Sequence, residues 1–216
     1  MQQYLASTAI LNSDHPKIQI FANKVTEGSR ADIQKAVRIY YAVRDGWKYN
    51  PYNISFNPDN MRASAVLERE EGHCLDKANL MITLLRAVGI PARLCLAKVR
   101  NHIAAEQMTQ AFGTDELTPH GYVEVYLHNR WIKATPAFNK ELCDKLNVAP
   151  LDWDGSNDSI FQEFDKVGGQ FMEYLEDYGA FDDLPAEFIK ANMKQHYPKF
   201  YREDVEWTKE LFFAGI

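Results

Sequence analysis

The chain has 216 residues, of which 46% are hydrophobic, 25% charged and 12% aromatic, enough apolar material for one substantial core and too much for intrinsic disorder. Lys and Arg number 24 against 30 Asp and Glu, a net charge of −6, the wrong sign for a protein that binds by neutralising nucleic-acid phosphates. No run of about 18 uncharged apolar residues is present to span a membrane, and the first twenty residues lack the basic start and long apolar stretch of a secretion signal. Cys74, Cys95 and Cys143 are odd in number and widely spaced, which fits neither a disulfide framework nor a CxxC metal knuckle. The expectation is a cytoplasmic protein with at least one free thiol, no nucleic-acid or membrane partner, no metal and no cofactor. Oligomeric state is not written in the sequence.

In chain order, Ser29 to Arg44 carries Ile33, Val37, Tyr40 and Tyr41 at the spacing of an amphipathic helix that ends near Asp45-Gly46. Trp47 to Arg62, with Pro51, Pro58 and four Asn residues, reads as a loop with aromatic anchors. Ser64 to Glu70 predicts a short helix with Ser64 as its cap and Gly72 marking its end. From Cys74 to Val88, the residues Leu75, Ala78, Met81, Ile82, Leu85 and Val88 form a helical stripe, and Gly89 followed by Pro91 stops it. Ala92 to Val99 predicts a strand buried on both faces. Arg100 to Pro119 reads as a long loop, with one or two helical turns at Ala104 to Phe112.

Gly121 to Thr135 predicts a hairpin in which His128-Asn129 form a two-residue turn. That register sets Val125 against Ile132, Glu124 against Lys133 as an ion pair, and Tyr126 against Trp131 as an aromatic pair. Alternation puts His120, Tyr122 and Glu124 on one face, with Thr135 opposite Tyr122. Beyond Pro150 the character changes: residues 152 to 187 hold eleven Asp or Glu against one Lys. Their aromatics predict an extension (150–216) folded onto a core of about 31–149 within a single domain (1–216), not a disordered tail.

Cys74 follows Gly72-His73 at the start of a helix, where unpaired N–H groups and the helix dipole favour a thiolate and could also hold an oxyanion. His120 lies 46 residues later at the start of a strand, a place from which it can act as base on the thiol. Both residues have a bland reading: a small buried hydrophobe and a satisfied turn histidine. Metal binding is disfavoured because adjacent His73-Cys74 with His102 and His120 lacks ligand spacing. Asp152, Asp154 and Asp158 look only faintly like a calcium loop, with Gly155 misplaced.

The runs Gly72-His73-Cys74-Leu75-Asp76-Lys77-Ala78, Leu84 to Arg93, His120 to Leu127 and Trp131-Ile132-Lys133 resemble the transglutaminase-like superfamily of cysteine-proteinase-fold proteins. The resemblance covers about Ala31 to Asn139 and implies an α+β, papain-like fold: a central helix starting at a nucleophilic cysteine, packed on an antiparallel sheet. It also implies a triad whose positions correspond to Cys74, His120 and Thr135, although the family pattern has aspartate where this chain reads Ala134-Thr135-Pro136. A threonine hydroxyl can accept from an imidazole but supplies no charge; Asn139 is the alternative third member, since an asparagine can orient a histidine. Trp47, Tyr49, His73, His102 and Tyr122 are candidate cleft residues. The function implied is cysteine-dependent acyl transfer, as a peptidase or amidase acting through a thioester on a peptide or amide substrate. The alternatives are a weak or inactive binding module and a cross-linking transglutaminase. The acidic extension reads first as a solvated face and secondly as a cover for the cleft that favours basic or amine-bearing substrates.

Overall fold

The computed structural model describes residues 1–103, 105–198 and 201. A 3₁₀ turn at Gln2–Tyr4 leads to α1 (Pro16–Thr26) and α2 (Asp32–Gly46), then β1 (Lys48–Tyr49), α3 (Pro58–Met61), α4 (Ala63–Glu68) and β2 (Glu71–Gly72). The central helix α5 (Cys74–Ala87) is followed by β3 (Ala92–Asn101), α6 (Ala105–Phe112), β4 (Glu116–Leu127) and β5 (Arg130–Ala134). Next come α7 (Lys140–Lys145), β6 (Met172–Phe181) and α8 (Ala186–His196). The main sheet runs β5-β4-β3-β6, antiparallel throughout, and β1 and β2 form a separate short parallel pair. This is an α+β architecture, with the central helix packed on an antiparallel sheet.

The hairpin takes the expected register, with Val125 opposite Ile132, Glu124 opposite Lys133 and Tyr126 opposite Trp131. His128 and Asn129 both have positive φ, 51° and 60°, the conformation a two-residue turn needs to match strand twist. Two details differ. Glu124 is bonded by Arg93 on β3 (2.6 Å) and not by Lys133, whose ammonium lies over the Tyr122 ring; the guanidinium can also stack on Trp131, 4.1 Å from the ring centre. And β5 ends at Ala134: Thr135 N–H donates to the Ser159 carbonyl, so Thr135 is not paired with Tyr122.

The predicted cap of α4 is corrected. The helix begins at Ala63, and Ser64 N–H donates to Asn12 Oδ1 (3.2 Å) while Asn12 Nδ2 donates back to Ser64 Oγ (2.8 Å). A side chain 52 residues upstream thus supplies the capping that Ser64 was expected to provide. Gly72 does not end that helix; it belongs to β2 and pairs with Tyr49.

β3 is buried on both faces because two cores meet across it. Leu94 and Leu96 face α1, α2, α4 and α5 together with Val123, Val125 and Ile132. Cys95, Ala97 and Val99 face a second cluster with Tyr122, Phe138, Cys143 and Phe171. The extension is folded onto this core: the Tyr40 hydroxyl lies 2.8 Å from the Leu151 carbonyl, and Trp153 packs on the Tyr40 ring. On β6, Glu173 and Glu176 answer Arg100 and Lys98 of β3, so part of the acidic run is neutralised by the neighbouring strand.

Two buried cations fasten α5. Lys77 Nζ donates to the Arg44 and Trp47 carbonyls at the end of α2 (2.8 and 2.7 Å). Arg86 donates to the carbonyls of Ala6, Ala92 and Asp182. Among the described residues no helix is long and apolar enough to cross a membrane.

Gly121 of β4 faces the first turn of α5, where an added Cβ would meet Leu75 Cδ2 at 2.8 Å and Leu75 Cα at 3.4 Å. The Gly121→Ala variant should lose about 1–3 kcal/mol of stability by overpacking, read as a lower urea midpoint. An unchanged midpoint would refute this close approach.

Candidate functional site

Cys74 opens α5, and the histidine before it is the N-cap: His73 Nδ1 accepts from Leu75 N–H (3.1 Å) and Asp76 N–H (3.4 Å). In return, Asp76 Oδ2 accepts from His73 N–H (3.2 Å). This reciprocal cap fixes the first turn. It also corrects the expectation of free helix N–H groups, because two of them are taken by the imidazole.

Gly121 has no side chain, so the first turn of α5 approaches the peptide that joins it to His120; a Cβ there would lie 3.6 Å from the Cys74 carbonyl oxygen. Cys74 consequently packs against both cores, including the one on the far side of the sheet from α5. On β4, His120 pairs with Ala97 and Tyr122 with Cys95, and the two share a face as alternation predicted. The thiol and the imidazole are brought to the same peptide, but they do not hydrogen-bond. His120 Nδ1 is buried without a partner, and so is Thr135 Oγ1. The expected His120–Thr135 bond is therefore absent, and the Asn139 alternative is engaged elsewhere, with Oδ1 accepting from Tyr49 N–H (3.0 Å).

Burial decides the charge state. It pushes the Cys74 thiol up to about 11, against backbone N–H groups of Gly121 and Leu75 that favour the thiolate. Burial alone pushes His120 down to about 4, and no carboxylate offsets it. The sequence-based expectation of an acidified thiol is overturned, because desolvation outweighs the helix terminus. In this conformation the pair is a neutral thiol and a neutral imidazole.

Beside Cys74 lies an apolar cavity of about 80 Å³, room for a few waters and far below the ~300–1,000 Å³ of sites that hold a sizeable ligand. Tyr49 and His73 line it; so do Ile54, Phe56 and Met61 from the loop and α3, Leu117 to Pro119 before His120, and Leu184, Ile189, Met193 and Tyr197. Three proposed cleft residues lie elsewhere. Trp47 is 5% exposed in the core, its ring against Phe21 and its indole N–H on the Val66 carbonyl. His102 bonds Glu173 (3.1 Å), and Tyr122 is buried against Tyr174 on the far side of the sheet from α5. The extension does reach the cavity, as a cover for the cleft would, but its lining residues Leu184, Ile189, Met193 and Tyr197 are apolar or aromatic and not acidic, and nothing local in the sequence singles them out.

Among the described residues no group of three or more His, Cys, Asp or Glu is placed to hold a metal ion. Asp154, the centre of the faint calcium-like run, spends its carboxylate on Ser156 N–H, Asn157 N–H and the Asn157 amide.

The low affinity of His120 for a proton has a measurable consequence. An unfolded histidine titrates near 6.5, so between about 6.5 and about 4 the unfolded chain binds a proton that the folded chain refuses. Stability therefore rises with pH across that window and falls on acidification. The loss from this residue is at most about 3 kcal/mol, and the His120→Gln variant should flatten that part of the curve in urea titrations at pH 7 and pH 4.5.

The model of the transglutaminase-like superfamily matches residues 19–136. Among solved structures, a candidate cysteine protease from Cytophaga hutchinsonii is similar at 18% identity with a TM-score of 0.54. The alignment covers 86% of this chain and 48% of that one, so the chain spans about half the length of this structural relative, and the likeness concerns the fold. No curated protein matches the chain. With more than half of its residues matched, and with the cysteine-bearing helix docked on the histidine-bearing strand, the chain belongs to the transglutaminase-like superfamily.

Proposed function

We propose that the protein is a cysteine-dependent acyl-transfer enzyme that cleaves amide or peptide bonds through a thioester on Cys74. The observation that carries this reading is the meeting of three features at one place: a helix-terminal thiol, the peptide of an imidazole-bearing strand and an apolar cavity. In the reaction His120 takes the thiol proton and the sulfur attacks the amide carbonyl carbon. The C–N bond then breaks, and the amine leaves with the proton from His120. Water attacks the thioester, the C–S bond breaks, and the acid and the thiol are restored. With Leu75 and Asp76 N–H groups held by His73, the Cys74 N–H is the helix-terminal donor left for the oxyanion.

The cavity is walled by Ile54, Phe56, Met61, Leu184, Ile189 and Met193, and its one carboxylate among the described residues, Asp76, is paired with Arg69 (3.3 Å). These surroundings favour an apolar group on the acyl side over a basic one. A second reading, a catalytically weak binding module, is favoured by the unpartnered His120 Nδ1 and Thr135 Oγ1.

Two experiments separate these readings. On a library of fluorogenic peptide amides, Cys74→Ala should abolish release of the amine, and His120→Ala should lower kcat/KM by about 10²–10⁴-fold; activity that survives Cys74→Ala sinks the enzyme reading, and products joined to added amines would mark cross-linking. Thr135→Asp should place a carboxylate beside the bare imidazole nitrogen and speed iodoacetamide labelling of Cys74 about tenfold at pH 6.5. An unchanged rate in a folded variant would show that position 135 does not serve His120.

A further inference from the structure

The cavity beside Cys74 is roofed by the segment that follows β6. Leu184, Ile189, Met193 and Tyr197 line it, and with the rest of the wall they leave only about 80 Å³ of space, too little for the peptide that the proposed reaction requires. α8 is fastened to β4 immediately upstream of His120. Thr118 N–H donates to the Tyr197 hydroxyl (2.8 Å), and that hydroxyl donates to the Glu116 carbonyl (2.8 Å). Thr118 Oγ1 donates to Asn192 Oδ1 (2.9 Å) and lies 2.9 Å from the Tyr178 hydroxyl.

Among the described residues, Ile189 and Asn192 are the buried residues of α8, with Phe188 and Met193 partly buried at the edge of the main core, against twelve consecutive buried residues in α5, so α8 should open at lower cost than α5. We infer that α8 is an autoinhibitory lid, latched through Thr118, Asn192 and Tyr197, whose displacement opens the apolar cavity and admits substrate to Cys74. The inference rests on the proposed function only in naming Cys74 as the group that must be reached.

Polarity within the latch fits this role. Its side chains are neutral hydroxyls and an amide, each contributing about 0.5–1.5 kcal/mol net, so the latch holds without trapping the closed state. Apolar packing by Phe188 on Tyr178 and Phe181 (5.2 and 5.7 Å between ring centres) attaches the first turn of α8 to β6, where it can serve as the hinge side.

The test is carried out on the full chain, with no substrate, by following iodoacetamide labelling of Cys74 and Cys143 by peptide mass spectrometry at pH 8.5 together with amide hydrogen exchange. In the wild type Cys74 should label slowly. The double variant Asn192→Ala, Tyr197→Phe should raise its rate about tenfold and speed exchange in α8, with α5 exchange and Cys143 labelling unchanged. Faster α8 exchange with an unchanged Cys74 rate overturns the lid, and so does wild-type labelling as fast as that of a small free thiol. Simultaneous loosening of α5 and exposure of Cys143 would make α8 part of the cooperative core and also overturn it. Should the double variant fail to fold, Met193→Ala is read by the same criteria. Loss of hydrolysis on the fluorogenic library would count against the proposed function and leave these rates untouched.

Discussion

The approach of the first turn of α5 to Gly121 is the contact on which the site depends. A strand residue without a side chain lets Leu75 and the Cys74 carbonyl pack directly on the β4 backbone, and the same peptide leads back to His120. The cost of a bare backbone position is conformational freedom in the unfolded chain. What offsets it is a helix whose terminus is fixed on two sides, by the His73–Asp76 cap and by the sheet. Lys77 then ties the next residues of the helix to the end of α2, so the thiol is positioned by rigid elements, not by a loop.

Enclosure carries an electrostatic penalty. His120 is buried and Cys74 partly buried, and the loss of solvent around them drives both groups toward their neutral forms. The helix terminus and the Gly121 amide act on the thiol in the opposite direction and lose. The Thr135 hydroxyl, which the family resemblance would set against the imidazole, is buried without a partner, and so is His120 Nδ1. Hydration or a bound polar group would change the proton affinities of both residues together.

Local sequence signals disclosed the elements whose logic is local. The hairpin register follows from alternation and a turn of two residues with positive φ, and α5 follows from its apolar stripe and the Gly89 stop. The helix start at Cys74 and the strand position of His120 were legible for the same reason, whereas their pairing as a candidate site came from the family resemblance. What escaped was set by contacts distant in sequence. The Asn12 cap on α4 and the particular α8 side chains that wall the cavity each depend on residues far apart in the chain. The direction of the Cys74 shift escaped too, since desolvation depends on how completely a site is enclosed, a property of the whole fold.

Arg86 has a consequence of its own. One guanidinium grips the carbonyls of Ala6, Ala92 and Asp182, and the Thr8 hydroxyl bonds Asp183 next door (2.9 Å), so the stretch leading into α8 is rooted in the same knot that secures the start of β3. The N-terminal residues and the entry to α8 are thereby coupled through two side chains, Arg86 and Thr8, so that a change at either end is felt at the other.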